Sequence, residues 1–101
     1  MEEINKRLVM QEGGKRLIRE LKAHILEVMG QIDECQPEAE GVSYRMIQEL
    51  AGLRLQGFSS ESRWLTQALL SSLLWDTRVE VVRKGHRVRW RLMGNKGWPV
   101  D

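Results

Sequence analysis

The residues best suited to bind another molecule are cations near the C-terminus. This group of four cations and a histidine consists of Arg83, Lys84, His86, Arg87 and Arg89. Guanidinium and ammonium groups neutralise phosphates and release counterions from nucleic acid. Residues 63–101 contain 8 Lys or Arg against 3 Asp or Glu, a net charge of +5, whereas residues 1–62 sum to −3. This asymmetry favours an anionic partner at one end of the molecule, with a merely solubilised hairpin as the alternative.

Residues that could perform catalysis or hold a metal do not form a recognisable site. No serine or cysteine stands at a catalytic spacing from His24 or His86, and the glycines form no phosphate-cradling motif. Cys35 lies alone in an acidic loop, so we expect an exposed thiol with no partner. The acids of that loop lack the calcium-loop pattern. We therefore predict a protein that is not an enzyme and has no cofactor and no metal.

Length and composition indicate one soluble domain. The chain has 101 residues, of which 42% are hydrophobic and 30% charged, which is typical of a globular protein. No apolar run is long enough to span a membrane. The first ten residues begin with acids and contain no apolar signal region. These features favour a cytoplasmic location.

Apolar spacing predicts a first helix over residues 14–30, with Leu17, Leu21 and Ile25 facing the core. Gly13 and Gly14 are expected to break the chain there, which separates an N-terminal extension, residues 1–13, that could form a short helix of its own. Residues 31–41 contain four acids, a proline and a glycine, and are predicted to form a loop.

Two further helices are predicted after this loop. Ser43 is a suitable N-cap for the second helix, and Gly52 a suitable stop. Met46, Ile47 and Leu50 are expected on its buried side. The third helix follows a connector that Leu55 and Phe58 are expected to anchor, and Ser59 or Ser60 is expected to cap it. Its core stripe is predicted to be Leu65, Ala68, Leu69, Ser72 and Leu73.

The C-terminal part alternates apolar and charged residues every two positions, which predicts a β-hairpin. A turn at Lys84–Gly85 would pair Val81 with Val88 and Val79 with Trp90. The same register places Glu80 opposite Arg89. After residue 93 the tail, residues 94–101, is predicted to be a loop with Trp98 as its anchor. The predicted core also includes the hairpin residues Val79, Val81, Val88 and Trp90.

The order helix, helix, connector, helix and hairpin resembles the winged-helix superfamily over residues 14–93. VSYRMIQELAGL matches the first helix of a helix-turn-helix pair, SSESRWLTQALLSSLLW the recognition helix, and VEVVRKGHRVRWRL the wing. The resemblance implies an α+β fold, mainly helical, and binding of duplex DNA by a transcriptional regulator or an accessory DNA-binding factor. The third helix would then read bases while the wing contacts phosphates.

Carried onto this chain, the resemblance implies a set of DNA-contacting residues. They are Ser60, Ser62, Arg63, Thr66 and Gln67 on the third helix, and Arg83, Lys84, His86, Arg87 and Arg89 on the wing. Arg63 suits guanine and Gln67 suits adenine.

Apolar residues on the same helix leave a protein partner open as the alternative. This second surface consists of Trp64, Leu70, Leu74 and Trp75. Self-association is predicted as well, because one three-helix core cannot absorb all the apolar surface of Leu70, Leu74, Trp75, Ile4 and Leu8. Dimers are also how helix-turn-helix proteins match symmetric DNA half-sites. A homodimer is therefore expected, and a membrane partner is not.

Overall fold

The computed structural model describes residues 2–94, and these form an α+β fold that is mainly helical, as expected. Its elements in chain order are α1 (Glu2–Gly30), a turn of 3₁₀ helix (Asp33–Cys35), α2 (Tyr44–Ala51), α3 (Ser59–Trp75), β1 (Val79–Lys84) and β2 (Arg87–Leu92). The two strands form one antiparallel hairpin. The predicted anchor Trp98 lies outside the described residues. Among the described helices, none is long and apolar enough to cross a membrane.

The first helix is longer than predicted, because α1 runs unbroken through Gly13 and Gly14. Both glycines have helical backbone angles, and strong helix formers on either side carry the helix through them. The predicted break is therefore wrong. Leu17 is also exposed rather than in the core, since the first apolar residue of α1 that packs against the core is Leu21.

The ends of α2 are as the sequence predicted. The Ser43 hydroxyl accepts a hydrogen bond from the backbone N–H of Met46 (3.4 Å), and Gly52 ends the helix in the left-handed conformation at φ 70°. The buried side differs from the prediction. Ile47 and Ala51 are buried, whereas Met46 and Leu50 are exposed.

The start of α3 is capped differently from the prediction. Phe58 occupies the cap position without a side-chain hydrogen bond, so neither Ser59 nor Ser60 serves as the cap. Ser62 instead ties the connector to the helix: its Oγ accepts from Leu55 N (2.6 Å) and donates to Phe58 O (2.7 Å). The side chains of Leu55 and Phe58 are exposed, so the connector is held by these hydrogen bonds rather than by apolar anchors.

The core lies where α1, α2, α3 and β1 meet. Its fully buried side chains include Ile25, Met29, Ile47, Leu70, Leu73 and Val79. Leu70 has 0% exposure, so its predicted place on an exposed partner surface is wrong. Leu69 is buried, Leu65 is only partly buried and Ala68 is exposed, so the buried side of α3 is turned from the predicted stripe toward Ser62 and Thr66.

The hairpin forms in a register that differs by two residues from the prediction. Its turn is Gly85–His86, so Val81 pairs with Trp90 and Glu80 lies opposite Arg91 rather than Arg89. The first residue of such a tight turn needs a positive φ, which Gly85 adopts (62°) and which a lysine would adopt only under strain. A shift of two residues keeps each side chain on its predicted face.

The base of the hairpin is attached to the loop before α2. Val42 and Trp90 exchange two backbone hydrogen bonds, of 2.9 and 2.7 Å. Gly41, at φ 82°, lies so close that an added Cβ would stand 3.0 Å from the Cβ of Arg89. Trp90 and Val79 are buried and Val81 is half-buried, whereas Val88, near the tip, is exposed and not part of the core as predicted.

Cys35 is buried beneath the hairpin rather than exposed in a loop. Its Sγ lies 3.9 Å from the carbonyl oxygen of Trp90. Burial, with a smaller contribution from the charge of Glu34, raises the pKa of the Cys35 thiol to about 11. The expectation of an exposed thiol is therefore wrong.

Candidate nucleic-acid interface

The hairpin tip, residues 83–87, gathers three exposed cations and an exposed histidine. Arg83, Lys84, His86 and Arg87 are all exposed. Lys84 and Arg87 stand directly opposite each other in the strand register. None of these side chains forms an ion pair or hydrogen bond with another described residue. Within residues 2–94 the tip cations are therefore not neutralised, which suits contact with an external anion.

The cations at the base of the hairpin are used within the fold. Arg91 pairs with Glu80 and donates to the carbonyl of Ala39 (2.7 Å). Arg89 is half-buried and donates to the carbonyl of Gly41 at 3.4 Å. The sequence predicted Arg89 as a phosphate contact, but this hydrogen bond holds it against the loop before α2. Along β2, Arg87 at the tip thus has no partner among the described residues, whereas Arg89 and Arg91 at the base contact the fold.

A second basic feature lies between the starts of α2 and α3. This α2–α3 cleft has a volume of about 410 Å³. It is lined by Tyr44, Arg45, Gln48, Glu49, Arg54, Ser59, Ser60 and Arg63. Glu49 is the only acid in the lining, and it lies 3.7 Å from Arg54. With three guanidinium groups against one carboxylate, the cleft has an excess of positive charge.

Aromatic contacts orient two of these arginines. The guanidinium carbon of Arg63 lies 5.8 Å from the centroid of the Tyr44 ring, within the range of a cation–π contact. Arg45 donates from Nε to the Tyr44 hydroxyl (3.4 Å), and this hydrogen bond raises the pKa of its guanidinium above the ordinary value. Tyr44 thus stands between two cations and limits the directions in which they can point.

The predicted residues of α3 divide into exposed and buried groups. Ser60 and Arg63 are exposed in the α2–α3 cleft, and Gln67 is half-buried. Ser62 and Thr66 are completely buried, so the prediction that they contact DNA is wrong. The Thr66 hydroxyl donates to the carbonyl of Ser62 (2.9 Å), which is a structural use of a polar side chain.

Arg45 and Arg54 are candidate binding residues that sequence reasoning did not identify. Arg45 and Glu49 are four residues apart in α2, so helical spacing places them on one polar face. That spacing was the available signal. Arg54 lies in the connector, and only the fold brings it beside α3.

The predicted apolar partner surface is only partly present. Trp64 is 71% exposed, Trp75 is 87% exposed, and Leu74 is also exposed. Leu70 is absent from this surface because it belongs to the core. Trp64 and Trp75 are thus the most exposed residues of the predicted surface.

Comparisons with known proteins identify no relative of this chain, so a function has to be argued from the site. No family model, no curated protein and no solved structure matches the chain. Within residues 2–94, no group of three or more His, Cys, Asp or Glu is placed to hold a metal ion.

Proposed function

We propose that this chain binds duplex DNA, with the hairpin tip against the sugar–phosphate backbone. The observation that carries the proposal is the pairing of Lys84 directly opposite Arg87. Like charges in this position destabilise a hairpin, and no described carboxylate pairs with either of them. A phosphate bound between the side chains of Lys84 and Arg87 would attract both cations and so offset their mutual repulsion. The tip is therefore better suited to an anionic partner than to water alone.

The α2–α3 cleft supports the same proposal. Arg63 is an exposed arginine on the first turns of α3, the helix that would read bases in a winged-helix protein. Arginine can donate two hydrogen bonds to guanine. Ser60 and the neighbouring cations of the cleft suit adjacent phosphates. A role as a transcriptional regulator or accessory DNA-binding factor is consistent with these contacts.

A titration against mixed-sequence duplex DNA at several salt concentrations tests the proposal. If about four phosphates are neutralised, the logarithm of the binding constant should fall against the logarithm of salt with a slope of about −3.6. Binding that is absent even at low salt would contradict the proposal.

Arg87→Ala is the sharpest variant because Arg87 is exposed and forms no ion pair with a described residue. We expect weaker binding to every sequence and a slope flatter by about one unit. Arg78→Ala is the matched control, since it removes the same charge from an exposed position outside the tip. Equal effects of the two substitutions would mean that only net charge matters and that the tip makes no specific contact.

A protein-interaction module is the second candidate, because Trp64 and Trp75 remain exposed on α3. Exposed tryptophans often form the central contacts of protein interfaces. Under this alternative the chain would bind no DNA at low salt, and Arg87→Ala would leave partner binding unchanged.

A further inference from the structure

The N-terminal arm of α1, residues 3–20, has no partner within the described chain. Every residue of the arm except Gly13 is exposed, and the first fully buried residue of α1 is Ile25. The arm nevertheless carries six exposed large apolar side chains: Ile4, Leu8, Val9, Met10, Leu17 and Ile18. Most helical stability in proteins comes from packing of such side chains, and short isolated helices are marginal in water.

No contact with another described residue requires a glycine at either Gly13 or Gly14 in the middle of the arm. Gly13 and Gly14 have no positive φ, and a Cβ added to either would meet nothing within 4 Å. Each costs roughly 1 kcal/mol of helix stability relative to alanine. Glycines do, however, allow a second backbone to approach a helix closely.

Beside these glycines the arm has a face with heptad-like spacing. Residues recur on it at alternating steps of four and three: Lys6, Met10, Gly13, Leu17 and Glu20. Met10, Gly13 and Leu17 give the middle of this face the apolar and small side chains against which a second helix can pack, and Lys6 and Glu20 lie at its ends. If two arms cross antiparallel at the glycines, Met10 of each copy lies against Leu17 of the other.

Charge decides the direction of pairing. In the antiparallel arrangement Lys6 of one copy lies beside Glu20 of the other, and neither residue has an ion pair among the described residues. In a parallel arrangement Lys6 would lie beside the Lys6 of the other copy, and Glu20 beside its Glu20, and both contacts would be repulsive. We therefore propose that the arm pairs antiparallel with the arm of a second copy of this chain, independently of any nucleic acid.

Sedimentation of the full chain from low to high micromolar concentration tests this proposal. We expect a concentration-dependent dimer that Leu17→Ser abolishes. Leu8→Ser is the matched control, because Leu8 and Leu17 are similarly exposed (54% and 56%) but lie on opposite sides of the helix. A wild-type chain that stays monomeric at high micromolar concentration, or equal weakening by both substitutions, would overturn the proposal.

Reversing the charge at Lys6 or at Glu20 tests whether the two helices pair antiparallel. Lys6→Glu and Glu20→Lys should each weaken self-association about tenfold, since each variant replaces two attractive contacts with repulsive ones. An equimolar mixture of the two variants should associate again, because each new charge meets its opposite. Failure of the mixture to associate would exclude the antiparallel arrangement.

Discussion

Small polar side chains in this protein are buried where they find backbone partners. Ser62 and Thr66 have 0% exposure, yet their hydroxyls are satisfied by carbonyl and N–H groups of the connector and of α3. Residue type alone suggests exposure at these positions, because serine and threonine are usually found at the surface. Ser62 depends on backbone groups that the folded connector supplies, whereas Thr66 uses the carbonyl of Ser62 within α3.

The burial of Cys35 predicts that the fold loses stability in alkali. Its thiol has a pKa raised from an ordinary value of 9.0 to about 11, so the unfolded chain loses this proton first as pH rises. The contribution to stability is therefore complete below pH 9 and is lost as pH rises through about 11. We expect the free energy of unfolding to fall by roughly 1–3 kcal/mol over this interval because of Cys35.

Urea unfolding between neutral pH and pH 11 measures this effect. Cys35→Ala should remove part of the decline, so the comparison is between the two pH slopes rather than between absolute stabilities. Native Cys35 should also react with a thiol reagent only as fast as the fold opens. Parallel slopes together with rapid labelling of the native protein would contradict the buried position.

At the scale of elements, the sequence predicted α3 but not its orientation. The expected stripe of Leu65, Leu69 and Leu73 is part of the buried side, but the helix is turned so that Ser62, Thr66 and Leu70 are buried as well. A prediction from hydrophobic residues alone places every polar residue on the exposed side of the helix. Because Ser62 and Thr66 are buried and hydrogen-bonded, the predicted buried side of α3 is rotated away from the observed one. The hairpin was predicted for its alternation, and its register was missed because the turn depends on which residue takes a positive φ.

Leu70 and Leu74 provide a direct test of this orientation. Leu70→Ala should cost about 2–5 kcal/mol of unfolding free energy, because it leaves a cavity in the core. Leu74→Ala, one turn later and exposed, should cost under about 1 kcal/mol. Chemical denaturation of both variants measures the difference, and equal costs would mean that a different face of α3 is buried.

At the scale of the whole molecule, the element order and the positive C-terminal part were predictable, since both follow from local periodicity and residue counts. The extended shape was not. The radius of gyration is 15.9 Å, against about 13 Å for a compact chain of this length, because α1 projects past the other elements. Two adjacent glycines normally favour a break, so the continuity of α1 across them could not be read from the sequence.

Hydrogen exchange should divide α1 into two parts in dilute solution. Amides between Asn5 and Glu20 should exchange faster than those between Lys22 and Gly30, because only the second part packs against the core. Mass spectrometry of exchanged peptides measures this difference. Uniform protection along α1 at low concentration would contradict the exposure of the arm.

The attachment of the hairpin at Val42 and Trp90 makes its reach adjustable without cost to the core. The hairpin is fixed to the rest of the fold at its base, and its positive charges lie at the opposite, exposed end. Inserting two residues into each strand beyond Val82 and Arg89 would carry the tip about 7 Å farther out and leave every side chain on its present face. The distance between the cations and the body of the molecule can therefore change without altering the residues that pack in the core.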